Sequence, residues 1–268
     1  MKRTILAAAL LAAGAVGLLA QPPAKPGQAA PAQAPKGPAV KSPAEMQALQ
    51  AWQAALQAGQ PDGVIKAAED VLTKFPTTDF KDIVLITIAD SYQQKGDWIK
   101  AQIYAAQALE ANPKSFQAAL LLSDIPAKHT GEHDLDKEES LTKAEGYAHK
   151  TIEIVNAAPK PAQLSDQQWA DFQKQIASQA QDDLGLIAQA RKTWEPAVAA
   201  FKAAIALVPE PAYRVHLANA LVVSGKPDEA IAVCDQVLAE PNLNPRIQAA
   251  TKSIRASATV AVAKAQGK

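Results

Sequence analysis

The chain has 268 residues, of which 48% are hydrophobic and only 5% are aromatic, and alanine dominates the hydrophobic set. Lys plus Arg number 27 and Asp plus Glu number 27, so the formal net charge is zero. This balance argues against capture of nucleic acid or of an anionic membrane surface, since both need a basic excess or patch. Abundant alanine favours closely packed helices over sheets, because alanine has high helix propensity and low strand propensity.

Residues 1–20 have the pattern of an export signal. Lys2 and Arg3 form a short positive region, and an uncharged run rich in Ala, Leu and Val follows up to Ala20. The small residue at position 20 suits cleavage, so we expect a signal peptide over 1–20 and a mature protein that is periplasmic or secreted. The alternative is an uncleaved anchor, although this run would reach only about 24 Å as a helix against a hydrocarbon core of roughly 30 Å. No later apolar run is long enough to span a bilayer.

Residues 21–42 are rich in Pro, Ala, Gln and Lys. Such a density of proline prevents both helices and sheet ladders, because proline lacks a backbone N–H and has a fixed φ. We therefore expect a disordered or polyproline-like linker over 21–42. Its prolines are Pro22, Pro23, Pro26, Pro31, Pro35 and Pro38.

Helical periodicity begins directly after this linker. Ser42, Pro43 and Glu45 have the sequence of a helix start with a capping box. Apolar residues then recur at helical spacing to near the C-terminus, in segments of about 12 to 18 residues between breaks that contain Gly or Pro. The pattern predicts one all-α domain over residues 43–266. Cys234 is the only cysteine, so an internal disulfide is excluded, and its apolar helical surroundings favour a buried hydrophobe over a reactive thiol.

The helices are predicted to come in pairs. In the segment from Asp82 to Pro113, the small residues Ala89, Ala101 and Ala108 allow two helices to approach closely. This segment resembles the tetratricopeptide repeat (TPR), a unit of 34 residues that folds as two antiparallel helices and ends near a proline. Similar units begin near residues 45, 116, 178 and 211. The resemblance covers residues 43–266 and implies a TPR-like superhelix of about five helix pairs, closed by a capping helix over 246–264.

The middle unit departs from the family pattern in two places. Its first helix meets Pro126, and a polar loop longer than the family's short turn follows over 129–140. A second insertion lies at about 159–177. There Ser165 and Gln168 resemble a capping box, which predicts that the next helix is extended toward its N-terminus.

Catalytic motifs are absent from the sequence, which has no phosphate-binding Gly-rich loop, no Gly-x-Ser-x-Gly elbow, no His-Glu-x-x-His and no paired cysteines. We therefore expect no enzyme activity and neither a cofactor nor a metal. The only metal candidate is the pair His129 and His133, with carboxylates nearby, but Gly131 and the polar context favour a solvated loop. Asp182 and Asp183 are adjacent on a helix and point about 100° apart, so they form no facing pair.

In the TPR family the first helix of each pair lines a concave groove that holds the ligand. The resemblance implies that the corresponding residues here are Ile83, Ile86, Asp90, Gln93, Gln117, Leu120, Asp124, Gln179, Asp182, Leu186, Gln189, Val215, Asn219 and Val222. Alternatively, several of the apolar ones pack against the next repeat. Chaperone-binding members clamp a terminal carboxylate with Lys, Arg and Asn, and only Asn219 is of that kind, so no clamp is expected. His216 is expected to be a helix-surface residue.

These features predict an exported, non-enzymatic scaffold of the cell envelope that binds a protein or peptide through its groove. An alternative is a structural protein of the envelope that self-assembles through its repeats. A third hypothesis, with less support, is a metal-dependent role of the loop that holds His129 and His133. Nucleic acid is not an expected partner, and the sequence leaves the oligomeric state open.

Overall fold

A computed structural model describes residues 38–266; the predicted signal peptide and most of the predicted linker lie outside them. The described residues form eleven helices and no strand, which confirms the predicted all-α fold of five helix pairs and a final helix. In chain order the helices are α1 (Pro43–Ala58), α2 (Pro61–Lys74), α3 (Lys81–Gln94), α4 (Trp98–Ala111), α5 (Phe116–His129), α6 (Lys137–Ala157), α7 (Asp166–Ala190), α8 (Trp194–Leu207), α9 (Pro211–Val223), α10 (Pro227–Leu238) and α11 (Pro245–Gln266).

The described residues divide into two compact units. The first extends to Lys95 and contains α1 to α3, and the second begins at Gly96 and contains α4 to α11. The boundaries predicted for the signal peptide, the linker and a single repeat domain stay predictions.

Two predicted helix starts have the hydrogen bonds that their sequences indicate. The Ser42 hydroxyl accepts from the Glu45 backbone N–H at 3.1 Å, although the Glu45 carboxylate accepts from the N–H of Lys41 instead of Ser42. Ser165 and Gln168 form a complete capping box, with reciprocal bonds of 3.2 and 2.9 Å. The box fixes the N-terminal end of α7, so the predicted extension is confirmed and α7 reaches 25 residues.

A large aromatic side chain fills the core of the first unit. Trp52 is 2% exposed, and its indole N–H donates to the Thr87 hydroxyl at 3.1 Å, which joins α1 to α3. The resemblance to the TPR pattern implies a small residue where Trp52 stands. The tryptophan is accommodated because its polar N–H finds a buried partner while its rings bury apolar area.

The core of the second unit combines small and large side chains. Phe201 of α8 is completely buried and lies against Gly185 of α7. Ala258 of α11 joins the same cluster as Leu221 of α9 and Ala230 of α10. The final helix therefore covers apolar surface that the last pair would otherwise expose, as predicted for a capping helix.

The irregular middle unit is more helical than its sequence predicts. Helix α5 continues through Pro126 to His129, and α6 already begins at Lys137. Pro126 and its neighbours Ile125 and Ala127 are buried. Burial of this turn outweighs the one backbone hydrogen bond that a helix loses at proline.

Candidate functional site on the second unit

The residues predicted to line a groove lie on α3 in the first unit and on α5, α7 and α9 in the second. None is fully exposed: Ile86, Asp124, Asp182 and Val215 are buried, and the others are half-buried. Many of these side chains therefore also contribute to packing inside their own unit. Ten of the fourteen predicted residues lie on the three helices of the second unit, and the other four lie on α3.

Side chains of α7 and α9 are joined by two polar contacts. The Asn219 amide N–H donates to the Gln189 side-chain oxygen at 3.3 Å, and His216 Nδ1 lies 2.8 Å from Asp182 Oδ1. Leu186 packs beside them against the apolar core. Of the predicted residues Asp182, Gln189 and Asn219, the last two are in contact, whereas Asp182 lies about two turns earlier on α7 and contacts His216.

Helix α5 adds an ion pair to this face. The buried carboxylate of Asp124 pairs with Lys128 one turn further along the helix. Lys128 keeps part of its side chain in solvent. The pair has the i,i+4 spacing at which opposite charges meet on a helix, so this signal was available in the sequence.

A third carboxylate lies between α5 and α7. Asp183 is 1% exposed, and its Oδ2 is 2.6 Å from the hydroxyl oxygen of Ser123. Burial, and then the nearby negative charge of Asp124, raise the pKa of Asp183 well above its usual range. Asp183 points to α5 while Asp182 contacts His216 of α9, so the two adjacent carboxylates do not face each other, as expected.

Three residues of these contacts, Lys128, Gln189 and His216, line a cavity of about 400 Å³ in the second unit. Its apolar floor consists of Ala127, Leu186 and Ala190. Its polar lining consists of Lys128, Thr130, Gln189 and His216. The sequence predicted Leu186 and Gln189 but not Lys128, Thr130 and His216, because these three do not correspond to the groove residues that the TPR resemblance implies.

A larger cavity of about 520 Å³ lies in the first unit, between α1 and α2. Small residues such as Ala48, Ala51, Gly63 and Ala67 form much of its lining. None of the groove residues predicted on α3 lines this cavity. The cavity and the predicted residues of α3 therefore do not form one site.

The loop after α5 is held by ion pairs. Glu132 contacts both Lys137 and Lys192, and these two ammonium groups lower the pKa of Glu132 to about 2. His129 stacks on Trp98 with ring centroids 3.7 Å apart, and partial burial lowers its pKa. Among residues 38–266, no group of three or more His, Cys, Asp or Glu side chains is placed to hold a metal ion.

Arg191, the residue that follows α7, binds the long helix α6 through side-chain contacts. Its guanidinium donates to Glu138, Glu145 and Thr142, at 2.6, 2.6 and 2.9 Å. These contacts set the position of the inserted segment beside α7.

None of the helices that the structure describes has the length and apolar character needed to cross a membrane.

Comparisons with known proteins identify the repeat. Residues 178–245 match the tetratricopeptide repeat family. The fold is similar to the crystal structure of TTC0263, a thermophilic TPR protein of Thermus thermophilus, with a TM-score of 0.56, 17% identity, and coverage of 78% of this chain and 98% of that one. It is also similar to MamA 41-end from Desulfovibrio magneticus RS-1, with a TM-score of 0.57, 16% identity and coverage of 74% and 96%. No functionally curated protein matches the sequence.

Proposed function

Because this chain is a tetratricopeptide repeat protein, by residues 178–245 and by its fold, we propose that it is a non-catalytic scaffold that binds a protein or peptide segment. The segment would lie along the face that α5, α7 and α9 form. The observation that carries this proposal is the cavity of about 400 Å³, where an apolar floor is bordered by hydrogen-bonding side chains. Stacked repeats present such a surface without reordering, which lowers the cost of binding.

The lining indicates the chemistry of the partner. Lys128 and His216 are each already paired with a buried carboxylate, so the cavity does not depend on an acidic ligand. Gln189 in the lining and Asn219, which contacts it from outside the lining, each carry an amide that offers a donor and an acceptor. An extended segment carries both kinds of group along its backbone. We therefore expect a segment that inserts one apolar side chain over Leu186 while its backbone pairs with these amides.

Charge and bulk at Gln189 in the cavity and at the neighbouring Asn219 should weaken this binding. The double variant Gln189→Arg with Asn219→Arg should lose at least tenfold in partner recovery, a change of about 1.4 kcal/mol in binding free energy. Both residues are half-buried at helix surfaces, so the variant should keep its helix content. Recovery is measured by quantitative mass spectrometry of proteins that co-purify from the native cells.

A matched control is Ala199→Arg with Ala206→Arg, at exposed positions of α8 outside the cavity. This control should capture partners as well as the unmodified chain does. Equal recovery by the two double variants would rule out the proposed binding face.

We propose further that the protein acts outside the cytosol, in the cell envelope. The charged start and apolar run of residues 1–20 support this location, and residues 21–42 would serve as a spacer between the cleavage point and the repeats. N-terminal sequencing of the protein from fractionated cells provides the test. A mature chain that begins at Gln21 in the envelope or medium is expected, whereas an intact N-terminus in the cytosol would refute export.

A further inference from the structure

Three aromatic side chains meet where α7 extends beyond the repeat. Trp169 and Phe172 belong to the first two turns of α7, before the matched residues 178–245, and Phe116 begins α5. The rings of Trp169 and Phe172 stack with centroids 5.3 Å apart, and Phe116 meets Phe172 edge-on at 5.5 Å. All three residues are half-buried, so together they form an aromatic patch that keeps contact with solvent.

The aromatic patch is held in place by contacts on both sides. The capping box of Ser165 and Gln168 fixes the start of α7. Gln173, the residue after Phe172, donates from its side-chain amide to the Val155 carbonyl oxygen of α6 at 2.8 Å. An ordered helix therefore presents the rings, and a ligand does not have to order them when it binds.

Trp169 also offers an unused hydrogen-bond donor. Its indole nitrogen can only donate, and within residues 38–266 no group accepts its N–H. Aromatic rings with one free donor suit a ligand that has apolar faces and acceptors but few donors of its own. A proline-rich segment has this chemistry, because proline has an apolar ring and a carbonyl oxygen but no backbone N–H. Aromatic-lined surfaces are the ones on which polyproline II segments dock.

The chain itself contains such a segment. Residues 22–38 hold two Pro-x-x-Pro motifs, at positions 23–26 and 35–38. In a polyproline II helix, residues i and i+3 lie about 9 Å apart on one edge, so two prolines can lie across rings that are 5.3 and 5.5 Å from their neighbours. In this form residues 22–38 would span about 50 Å, more than the roughly 38 Å length of α7. The segment therefore has the length to carry its motifs away from Pro38, where the described residues begin.

We propose that the aromatic patch binds the proline-rich segment of residues 22–38 of this protein. The pyrrolidine rings of one Pro-x-x-Pro motif pack on Trp169 and Phe172, and a carbonyl oxygen of the motif accepts from the Trp169 indole N–H. Docking removes apolar ring surface from water, and the fixed φ of proline reduces the entropy lost on binding. The predicted linker then has a second role, as a ligand of the inserted turns of α7. This docking does not rest on the proposed function, because Gln189 in the cavity lies about 25 Å further along α7 than Phe172.

Fluorine NMR of the full chain labelled with 5-fluorotryptophan tests the proposal without altering the patch. The chain has four tryptophans, whose resonances are assigned with single Trp→Phe variants. A four-proline variant should shift the Trp169 resonance and leave the other three unchanged. Its substitutions are Pro23→Ala, Pro26→Ala, Pro35→Ala and Pro38→Ala.

The matched control for the four-proline variant is Gln28→Ala with Gln33→Ala, which changes the same segment but keeps its prolines. This control should leave the Trp169 resonance where it is in the unmodified chain. An unchanged Trp169 resonance in the four-proline variant would overturn the proposal. A Trp169 resonance that ignores the prolines but shifts with protein concentration would also overturn it, because the folded surface of a second copy would then occupy the patch.

A synthetic peptide of residues 21–38 tests for direct docking. Added to the four-proline variant, it should return the Trp169 resonance toward that of the unmodified chain. A fluorescent form of the peptide, followed by anisotropy, should bind the four-proline variant at least tenfold more weakly after Trp169→Ala. Trp194→Ala, at a half-buried tryptophan of α8, is the control and should leave the affinity unchanged. Equal affinities of the two tryptophan variants would overturn the proposal.

The fluorine measurement also covers the case in which Trp169→Ala fails to fold, because the four-proline variant leaves every helix unaltered. None of these measurements uses an outside partner, so their failure leaves the proposed binding function standing. That function is tested separately by the variants of Gln189 and Asn219.

Discussion

Replacement of Gly185 by alanine is expected to lower the free energy of unfolding by about 3 kcal/mol. Gly185 is buried on α7, and an added Cβ would lie 2.3 Å from Cε1 and 2.4 Å from Cδ1 of Phe201. This is closer than a Cβ comes to other heavy atoms in proteins. Because Phe201 is itself completely buried, its ring has no free space to move into, so α7 and α8 must shift apart.

Gly146 provides the matched control for this substitution. It lies on α6 at an exposed position, and no heavy atom lies within 4 Å of the place where its Cβ would be. Gly146→Ala should therefore stabilise the protein by about 0.5 to 1 kcal/mol, the usual gain when alanine replaces glycine in a helix. Urea denaturation of both variants measures the difference. Equal stabilities would show that α7 does not approach α8 as closely as described.

Ala101→Glu is expected to have a similarly large effect, with a loss of about 3 to 5 kcal/mol. Ala101, Ala105 and Ala108 form a completely buried face of α4, which packs against α5. A glutamate at position 101 would bring a charge into this close contact without a partner, and the cost of burying an unpaired charge is high. Thermal and urea unfolding provide the measurement.

Ala106→Glu separates this effect from helix propensity, because position 106 is exposed on the same helix. This control should change stability by less than about 0.5 kcal/mol. A comparable loss in both variants would mean that the small residues of α4 are not a packing face.

The sequence predicted the features that depend on local spacing. The buried small residues of α4 recur with the period of a helix, and the capping box of Ser165 and Gln168 is specified within four residues. Such signals can be recognised without knowledge of tertiary contacts. The number and order of the helices could be predicted because segments that contain Gly or Pro, which are also local signals, separate one helix from the next.

The contact between α5 and α7 could not be predicted in this way. Ser123 and Asp183 are 60 residues apart, and the segment between them contains both irregular insertions. Their contact depends on how α5 and α7 pack, which no short-range pattern specifies. His216 was predicted to be an ordinary surface residue because its partner, Asp182, lies on a different helix. The boundaries around Pro126 were also missed, because burial of that turn overrides the local preference of proline.

The central proposal is that the face of α5, α7 and α9 holds a partner segment. Site-specific photocrosslinking in the native cells tests it directly, with the reactive side chain placed either at Gln189 in the cavity or at Ala206 on the exposed surface of α8. We predict one recurrent protein adduct at position 189 that Asn219→Arg abolishes, and no such adduct at position 206. An adduct that forms at position 206 but not at position 189 would contradict the proposed binding face.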